Sequence, residues 1–207
     1  MPAPSATAHD RSIIVVMALE LEAQGLFRAR GVDVLFTGIG KVNAAHALTR
    51  RVLEERALGK RPLVVNLGTA GSRRFRQGSV VGCRRFAQRD MDVTGLGFAL
   101  GHTPFEDDVP AELEFPEYFP DLEHGVCGSG DRFEAHAEAL AWDVIDMEAY
   151  ALAKVCFREG LPFGCAKYIT DGADGTAGVD WQAALPVAAV EFVTLYEGLL
   201  ARQATHR

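Results

Sequence analysis

Apolar and polar positions follow two different periods along the chain, and these periods divide it into strands and helices. Short apolar runs predict strands at 12–17, 32–36, 63–67, 79–86, 91–94, 142–146 and 163–170. Apolar residues at helical spacing predict helices at 18–30, 42–58, 147–159 and 181–201. Strands that alternate with helices indicate a parallel sheet covered on both faces. We therefore expect a single-domain, three-layer α/β/α fold with a mostly parallel, mixed central sheet.

Two segments lack this pattern. Residues 1–11 are predicted to form a disordered tail, which leaves 12–203 for the folded domain. Residues 103–125 hold four of the nine prolines, many acids and no Lys or Arg, which predicts a long irregular loop.

Composition narrows the class of protein. With 48% hydrophobic and 24% charged residues, the 207-residue chain is typical of a folded soluble domain. No unbroken apolar run approaches the roughly 18 residues that span a bilayer, so we expect no membrane span. The net charge of −7 disfavours a nucleic-acid partner. The four cysteines and six histidines are scattered, which predicts reduced thiols in a cytoplasmic protein and no metal site.

Two glycine-rich turns follow predicted strands. Gly38-Ile-Gly-Lys-Val-Asn suggests a dinucleotide site, but the third glycine of that motif is missing. Asn66-Leu-Gly-Thr-Ala-Gly could hold polar groups of a ligand. A tight turn that packs a helix against a strand explains the first motif better than a dinucleotide site does, and a tight turn explains the second equally well, so both interpretations stay open at this point.

Three acids at the ends of predicted strands indicate a catalytic site more directly than the glycine-rich turns do. Glu22 follows the first strand, Glu148 opens a helix after a strand, and Asp171 follows the strand at 163–170. Each alone could be an ordinary acid of a helix first turn. Because the carboxyl ends of parallel strands meet at one edge of a sheet, we expect the three side chains in one cleft. Carboxylates in a cleft suit acid/base cleavage of a glycosidic bond.

Seven motifs resemble, in order, those of the nucleoside phosphorylase superfamily over roughly residues 13–193. They are Ala18-Leu-Glu-Leu-Glu, Gly38-Ile-Gly-Lys-Val-Asn-Ala, Asn66-Leu-Gly-Thr-Ala-Gly, Arg89-Asp-Met-Asp-Val-Thr, Ser129-Gly-Asp-Arg-Phe, Asp146-Met-Glu-Ala and Thr170-Asp-Gly-Ala-Asp. They are most similar to the hydrolytic branch, the 5′-methylthioadenosine/S-adenosylhomocysteine nucleosidases. The resemblance implies a purine nucleosidase that uses no cofactor.

The resemblance also implies roles for matching residues. Glu22 would activate the attacking water, and Asp171 would protonate the leaving purine at N7. Glu148 would hold the ribose hydroxyls, Met147 would lie under the sugar, and Phe133 would stack on adenine. Further residues would line the ribose and base site, namely Thr69, Ala70 and Gly71. A last group would reach across a homodimer interface to cover the 5′ substituent, namely Val93, Leu96 and Pro104.

Departures from the family pattern fall on the base and sugar pocket. Glu134 stands where the family usually has an apolar residue, and Lys167 where it usually has an arginine near the sugar. Only 16 residues separate Asp131 from Glu148, fewer than is typical. These changes leave the exact nucleoside open.

The choice between hydrolysis and phosphorolysis depends on arginine. Phosphorylases of this superfamily hold phosphate with arginines near the first and third strands, because a guanidinium binds that dianion through two parallel hydrogen bonds. The stretches 17–23 and 63–68 contain none. The sequence therefore favours hydrolysis.

We therefore expect a nucleosidase that hydrolyses the N-glycosidic bond of a 5′-modified adenosine, such as methylthioadenosine or adenosylhomocysteine. The alternatives are a nucleosidase acting on futalosine or adenosylhopane, a phosphate-dependent phosphorylase, an inactive nucleoside-binding protein, and a Rossmann-type oxidoreductase.

Overall fold

The computed structural model describes residues 12–132, 142–171 and 177–205. The strands are β1 (Ile13–Met17), β2 (Val34–Phe36), β3 (Leu63–Gly71), β4 (Val80–Gln88), β5 (Glu112–Glu114), β6 (Glu123–Ser129), β7 (Val144–Asp146) and β8 (Phe163–Asp171). The helices are α1 (Glu20–Ala23), α2 (Lys41–Ala57), α3 (Ala149–Glu159) and α4 (Ala177–Thr205). Short 3₁₀ turns occupy Arg28–Arg30 and Thr94–Leu96.

All eight strands belong to one mixed sheet. Its order is β2-β1-β3-β7-β6-β4-β5, and β8 pairs with both β3 and β4. The pairs β1–β2, β1–β3, β3–β8, β4–β6 and β6–β7 are parallel, and the other three are antiparallel. Because β8 is bonded along both edges, β3, β8, β4, β6 and β7 close into a ring. The mostly parallel, mixed sheet is as predicted, and the ring is an addition to it.

Helices cover both faces of the sheet, which confirms the three layers. On one face, α2 and α3 pack against an apolar cluster that includes Leu48, Leu152 and Phe86. On the other face, α4 packs beside α1 through a second cluster that includes Phe27, Phe192 and Val65. Apolar positions on successive residues of the central strands point alternately into the two clusters, as in β1, where Val15 and Val16 belong to different ones.

The last helix modifies the expectation about membranes. Its segment Trp181–Thr205 is long and apolar enough to cross a bilayer by length and composition. Of the window concerned, 33% is buried inside the protein. Ala188, Phe192 and Val193 lie on that buried face, in contact with the sheet. This packing accounts for the apolar residues on the buried face of the helix.

Three predicted elements differ from the structure. The helix expected at 18–30 is only α1, because Gln24 and Gly25 adopt left-handed backbone with φ of 47° and 70°. Residues 91–94 form no strand, and a 3₁₀ turn begins there instead. The segment predicted as an irregular loop contains β5 and the start of β6. Both strands exist because they pair with β4, a long-range contact that leaves no local pattern.

Candidate active site

A cavity of about 250 Å³ opens at the carboxyl ends of β3, β7 and β8, beside α1. It brings together most of the predicted site residues: Glu22, Thr69, Ala70, Gly71, Met147, Glu148 and Asp171. Phe133 and Glu134 lie outside the described residues. Val93, Leu96 and Pro104 do not line the cavity within this chain.

Glu22 is buried in the short helix α1 and is held by four donors. Its Oε2 accepts hydrogen bonds from the backbone N–H groups of Ala18 (3.2 Å) and Leu19 (3.1 Å). Its Oε1 accepts from the backbone N–H and the hydroxyl of Thr69, both at 2.9 Å. The turn that follows β1 and the end of β3 therefore fix one carboxylate at the cavity wall.

Glu148 lies at the N-terminus of α3 and contacts the glycine turn before α2. Its Oε1 accepts from the backbone N–H of Gly40 at 2.8 Å. Gly40 has a φ of 95°, a conformation that favours glycine, and this geometry directs the N–H at the carboxylate. Burial, together with the negative charge of Asp146, raises the pKa of Glu148 to about 7.

The glycine motif is thereby explained. The first backbone N–H groups of α2 point at carboxylates of the chain itself, Gly40 at Glu148 and Lys41 at Asp131 (2.8 Å). In a dinucleotide site, such N–H groups would bind a pyrophosphate. Because these acids already accept hydrogen bonds from the N–H groups, a structural turn that shapes the pocket explains the motif better than a cofactor site does.

Asp171 is the last residue of β8 and is buried. The hydroxyl of Thr170 donates a hydrogen bond to Asp171 Oδ2 at 2.7 Å. The backbone carbonyl of Asp171 accepts a hydrogen bond from the backbone N–H of Ser72 at 3.1 Å. The end of β3 and the end of β8 thus hold Asp171 in the cavity. A buried carboxyl facing a ligand cavity can act as a general acid.

Behind the cavity, Lys167 forms a fully buried ion pair with Asp146. The Nζ–Oδ2 distance is 2.8 Å, and each side chain is only 1% exposed. Burial alone would raise the pKa of Asp146, but Lys167 and hydrogen bonds from Ser129 and Ala149 hold it below its ordinary value. Burial would likewise lower the pKa of Lys167, yet Asp146 keeps it well above the ordinary value. Asp146 is therefore a carboxylate and Lys167 an ammonium.

Lys167 does not line the cavity but lies close behind it. A Cβ built on Gly68 would be 3.4 Å from both Lys167 Nζ and Glu22 Oε1. Both charged groups therefore come close to this position of β3. Lys167 thus contributes a positive charge from beneath the floor of the cavity.

Arg89, Arg132 and Trp181 are among the cavity residues that the sequence-based prediction does not include. The two arginines belong to two of the seven family motifs. They lie outside the stretches near the first and third strands where phosphate-binding arginines are expected. Arg89 donates to the carbonyls of Gly130 and Arg132, which brings the two segments together. Trp181 follows Asp171 by ten residues, and no local pattern marks it as part of the site.

Among the described residues, no group of three or more His, Cys, Asp or Glu side chains could hold a metal ion. The four cysteines are all buried and free. Carboxyl groups and two arginines are among the polar groups that line the cavity.

A family model described as the phosphorylase superfamily matches residues 23–201 of the chain. A 5′-methylthioadenosine/S-adenosylhomocysteine nucleosidase from Actinobacillus succinogenes is 34% identical over 198 residues, which cover 86% of this chain and 84% of that protein. The family model thus spans the chain from the end of α1 into the last part of α4.

Solved structures show the same architecture. A 5′-methylthioadenosine/S-adenosylhomocysteine nucleosidase from Neisseria meningitidis, in complex with methylthio-immucillin-A, is 25% identical, with a TM-score of 0.78 over 92% of this chain and 99% of that one. A futalosine hydrolase mutant from Helicobacter pylori has a TM-score of 0.81 at 21% identity, over 93% of this chain and 100% of that one. At that identity, the second likeness concerns the fold alone.

Proposed function

This chain belongs to the phosphorylase superfamily, and on that premise we propose that it is a purine nucleosidase of the 5′-methylthioadenosine/S-adenosylhomocysteine type. It hydrolyses the N-glycosidic bond of a 5′-modified adenosine to a free base and a sugar. The observation that supports this best is the meeting of Glu22, Glu148 and Asp171 in one cavity. The relatives that match over most of the chain are nucleosidases of this kind.

In the proposed mechanism, Glu22 orients the attacking water and takes a proton from it as the oxygen bonds to C1′ of the ribose. Asp171 gives a proton to N7 of the purine while the bond between C1′ and N9 breaks. The base therefore leaves neutral rather than as an anion. The transition state has the character of a sugar cation, and nearby carboxylates stabilise its positive charge.

Glu148 is proposed to accept hydrogen bonds from the ribose hydroxyls, with Met147 against the sugar. Thr69, Ala70 and Gly71 line the neighbouring wall. Phe133 and Glu134 are proposed for the base, as the resemblance implies. Lys167 acts from behind the wall and is proposed to hold Asp146 in place rather than to touch the substrate.

We also propose a homodimer in which Val93, Leu96 and Pro104 of each protomer cover the partner's 5′ pocket. Large apolar side chains of this segment are exposed, since Phe105 is 90% accessible and Leu96 75%. Val42 is 78% accessible and follows Lys41, which forms an ion pair with Asp90. Phe105 also has a φ of 62°, a costly conformation for an aromatic residue. Large exposed apolar side chains of this kind support an interface between proteins.

A cytoplasmic location without a membrane span completes the proposal. The four free, buried thiols support a reducing compartment, and the packing of α4 on the sheet supports a role in the core for the apolar helix.

The proposed reaction is tested by incubating the protein with methylthioadenosine, adenosylhomocysteine and futalosine in phosphate-free buffer, and measuring the released base. We expect release from an adenosine derivative, unchanged when phosphate is added. A strict requirement for phosphate would instead identify a phosphorylase that uses Arg89 and Arg132. Release of base from futalosine alone would support the proposed hydrolysis and would identify futalosine, rather than a 5′-modified adenosine, as the substrate.

The roles of the acids are tested by Glu22→Gln and Asp171→Asn. Each variant keeps the shape of the side chain and removes its acid/base function, so we expect kcat to fall by at least about a hundredfold. Glu54→Gln, at an exposed glutamate of α2, is the matched control. Near-normal rates in either active-site variant would refute the role assigned to that residue.

A further inference from the structure

Trp181 reaches the candidate active site from the beginning of α4. Its ring lines the cavity, and its indole Nε1–H donates a hydrogen bond to the hydroxyl oxygen of Thr69 at 2.9 Å. That hydroxyl lies 2.9 Å from Glu22 Oε1. Three side chains from α4, β3 and α1 therefore form one continuous chain of hydrogen bonds that ends on the carboxylate.

The donors and acceptors in this chain determine its direction. An indole N–H can only donate, and an ionised carboxylate can only accept. Between them, the Thr69 oxygen accepts from Trp181, so its single proton points at Glu22. Without the indole N–H, the hydroxyl would be free to rotate towards other acceptors in the cavity.

The Thr69 hydroxyl is the adjustable contact of Glu22. The other three donors that the structure places on this carboxylate are backbone N–H groups, of Ala18, Leu19 and Thr69 itself, and these are fixed by the fold. Only the hydroxyl can turn. A partner that fixes the orientation of this hydroxyl therefore also fixes its hydrogen bond to Glu22 Oε1.

We propose that Trp181 is a positioning residue for hydrolysis, which acts on Glu22 through the Thr69 hydroxyl. This inference rests on the proposed function, because it assigns Glu22 the work of activating water. It predicts that the indole N–H, rather than the bulk of the ring, sets the rate of the chemical step.

A double-mutant cycle tests the relay. Trp181→Phe keeps a flat ring and removes the N–H, so we expect kcat to fall about tenfold, the effect of one hydrogen bond to a charged network, with KM little changed. Thr69→Val removes the hydroxyl and keeps the shape. If Trp181 acts through that hydroxyl, adding Trp181→Phe to Thr69→Val changes kcat by less than about twofold.

Thr69→Ser provides the rescue. It restores a hydroxyl, so in this background Trp181→Phe should again lower kcat about tenfold. Trp142→Phe is the matched control, since the other tryptophan packs over Gly128 rather than in the cavity. Equal losses from Trp181→Phe in the Thr69→Val and native backgrounds would overturn the proposal and make Trp181 a plain wall residue. An unchanged kcat in the native background would overturn it too.

A second measurement does not depend on how Trp181→Phe folds. In protein labelled with nitrogen-15 at its two tryptophans, the indole N–H signal of Trp181 should shift in Thr69→Val and stay near its native position in Thr69→Ser. A signal unmoved by Thr69→Val would contradict the relay. Turnover of the native protein is measured first, so an inactive native protein counts against the proposed function, whereas an active one without coupling counts against Trp181 alone.

Discussion

At the scale of single residues, the acids of the cavity differ because their partners differ. Glu22 is surrounded by four hydrogen-bond donors, and Asp146 faces a buried ammonium. Glu148 has one backbone donor and lies near the negative charge of Asp146. The anionic form of the side chain is therefore stabilised at Asp146 and disfavoured at Glu148.

The raised pKa of Glu148 predicts that the stability of the protein depends on pH. An unfolded glutamate has a pKa of 4.5, whereas burial and Asp146 raise the pKa of Glu148 to about 7. The folded protein therefore binds an extra proton between these values. Its contribution to stability is complete below about pH 4.5 and is lost as the pH rises to about 7.

Glu148→Gln is uncharged at every pH and keeps an oxygen for the Gly40 N–H. We expect it to raise the free energy of unfolding at pH 8 by up to about 3 kcal/mol and to change it little at pH 4.5. Urea unfolding at both pH values measures this, with Glu54→Gln as the control. Equal effects of Glu148→Gln at the two pH values would contradict the assignment.

The buried pair of Lys167 and Asp146 predicts a non-additive effect. Lys167→Met leaves the Asp146 carboxylate buried without its cation, which should cost about 3–5 kcal/mol of stability. Asp146→Asn in the same chain removes the stranded charge, so the double variant should be more stable than Lys167→Met alone. Urea unfolding of the four proteins tests this, and additive losses would show that the two side chains are not coupled.

At the scale of elements, the local sequence pattern is sufficient to predict those helices and strands whose own residues carry the apolar periodicity. The periodicity of α2 and α3 and the β-branched run of β1 predict these elements to within a few residues. β6 was missed because its sequence, with two glycines in seven residues, has no strand pattern of its own and depends on pairing with β4 and β7. The three acids of the site were predictable from strand ends, whereas Trp181 was not, since its place depends on how α4 packs.

One glycine of β6 has a steric reason that can be tested. A Cβ on Gly128 would lie only 2.6 Å from the ring of Trp142, at a segment that leads into β7. We expect Gly128→Ala to destabilise the protein by about 1–3 kcal/mol, because the ring or the strand must move. Thermal unfolding measures the loss.

Gly198→Ala is the matched control for this substitution. Gly198 lies in α4, and a Cβ there would make only an ordinary contact, 3.7 Å from Arg202 Nη1. An equal loss in both variants would mean that backbone freedom, rather than contact with Trp142, explains the effect at Gly128.

At the scale of the whole molecule, the three layers and the position of the cleft followed from the order of strands and helices alone. The ring formed by β3, β8, β4, β6 and β7 did not, because it requires β8 to pair along both edges. The proposed dimer also belongs to this scale, since it concerns apolar side chains that the single chain leaves exposed.

The dimer is tested by charge. Leu96→Glu and Phe105→Glu place a carboxylate on the exposed apolar surface, so we expect a shift from dimer to monomer in sedimentation and a loss of activity. Leu58→Glu, at the far end of α2 from Val42, is the matched control and should leave the dimer intact. A native protein that sediments as a monomer would contradict the proposal.

The double pairing of β8 has a consequence for the protein during its synthesis. The strand β8 leaves the ribosome some 80–100 residues after its partners β3 and β4. Until β8 arrives, the ring is open, and Glu22 faces a space without Asp171 or Lys167. In the proposed mechanism, a nascent chain therefore holds the base Glu22 without the acid Asp171, and the site is complete only when β8 has docked.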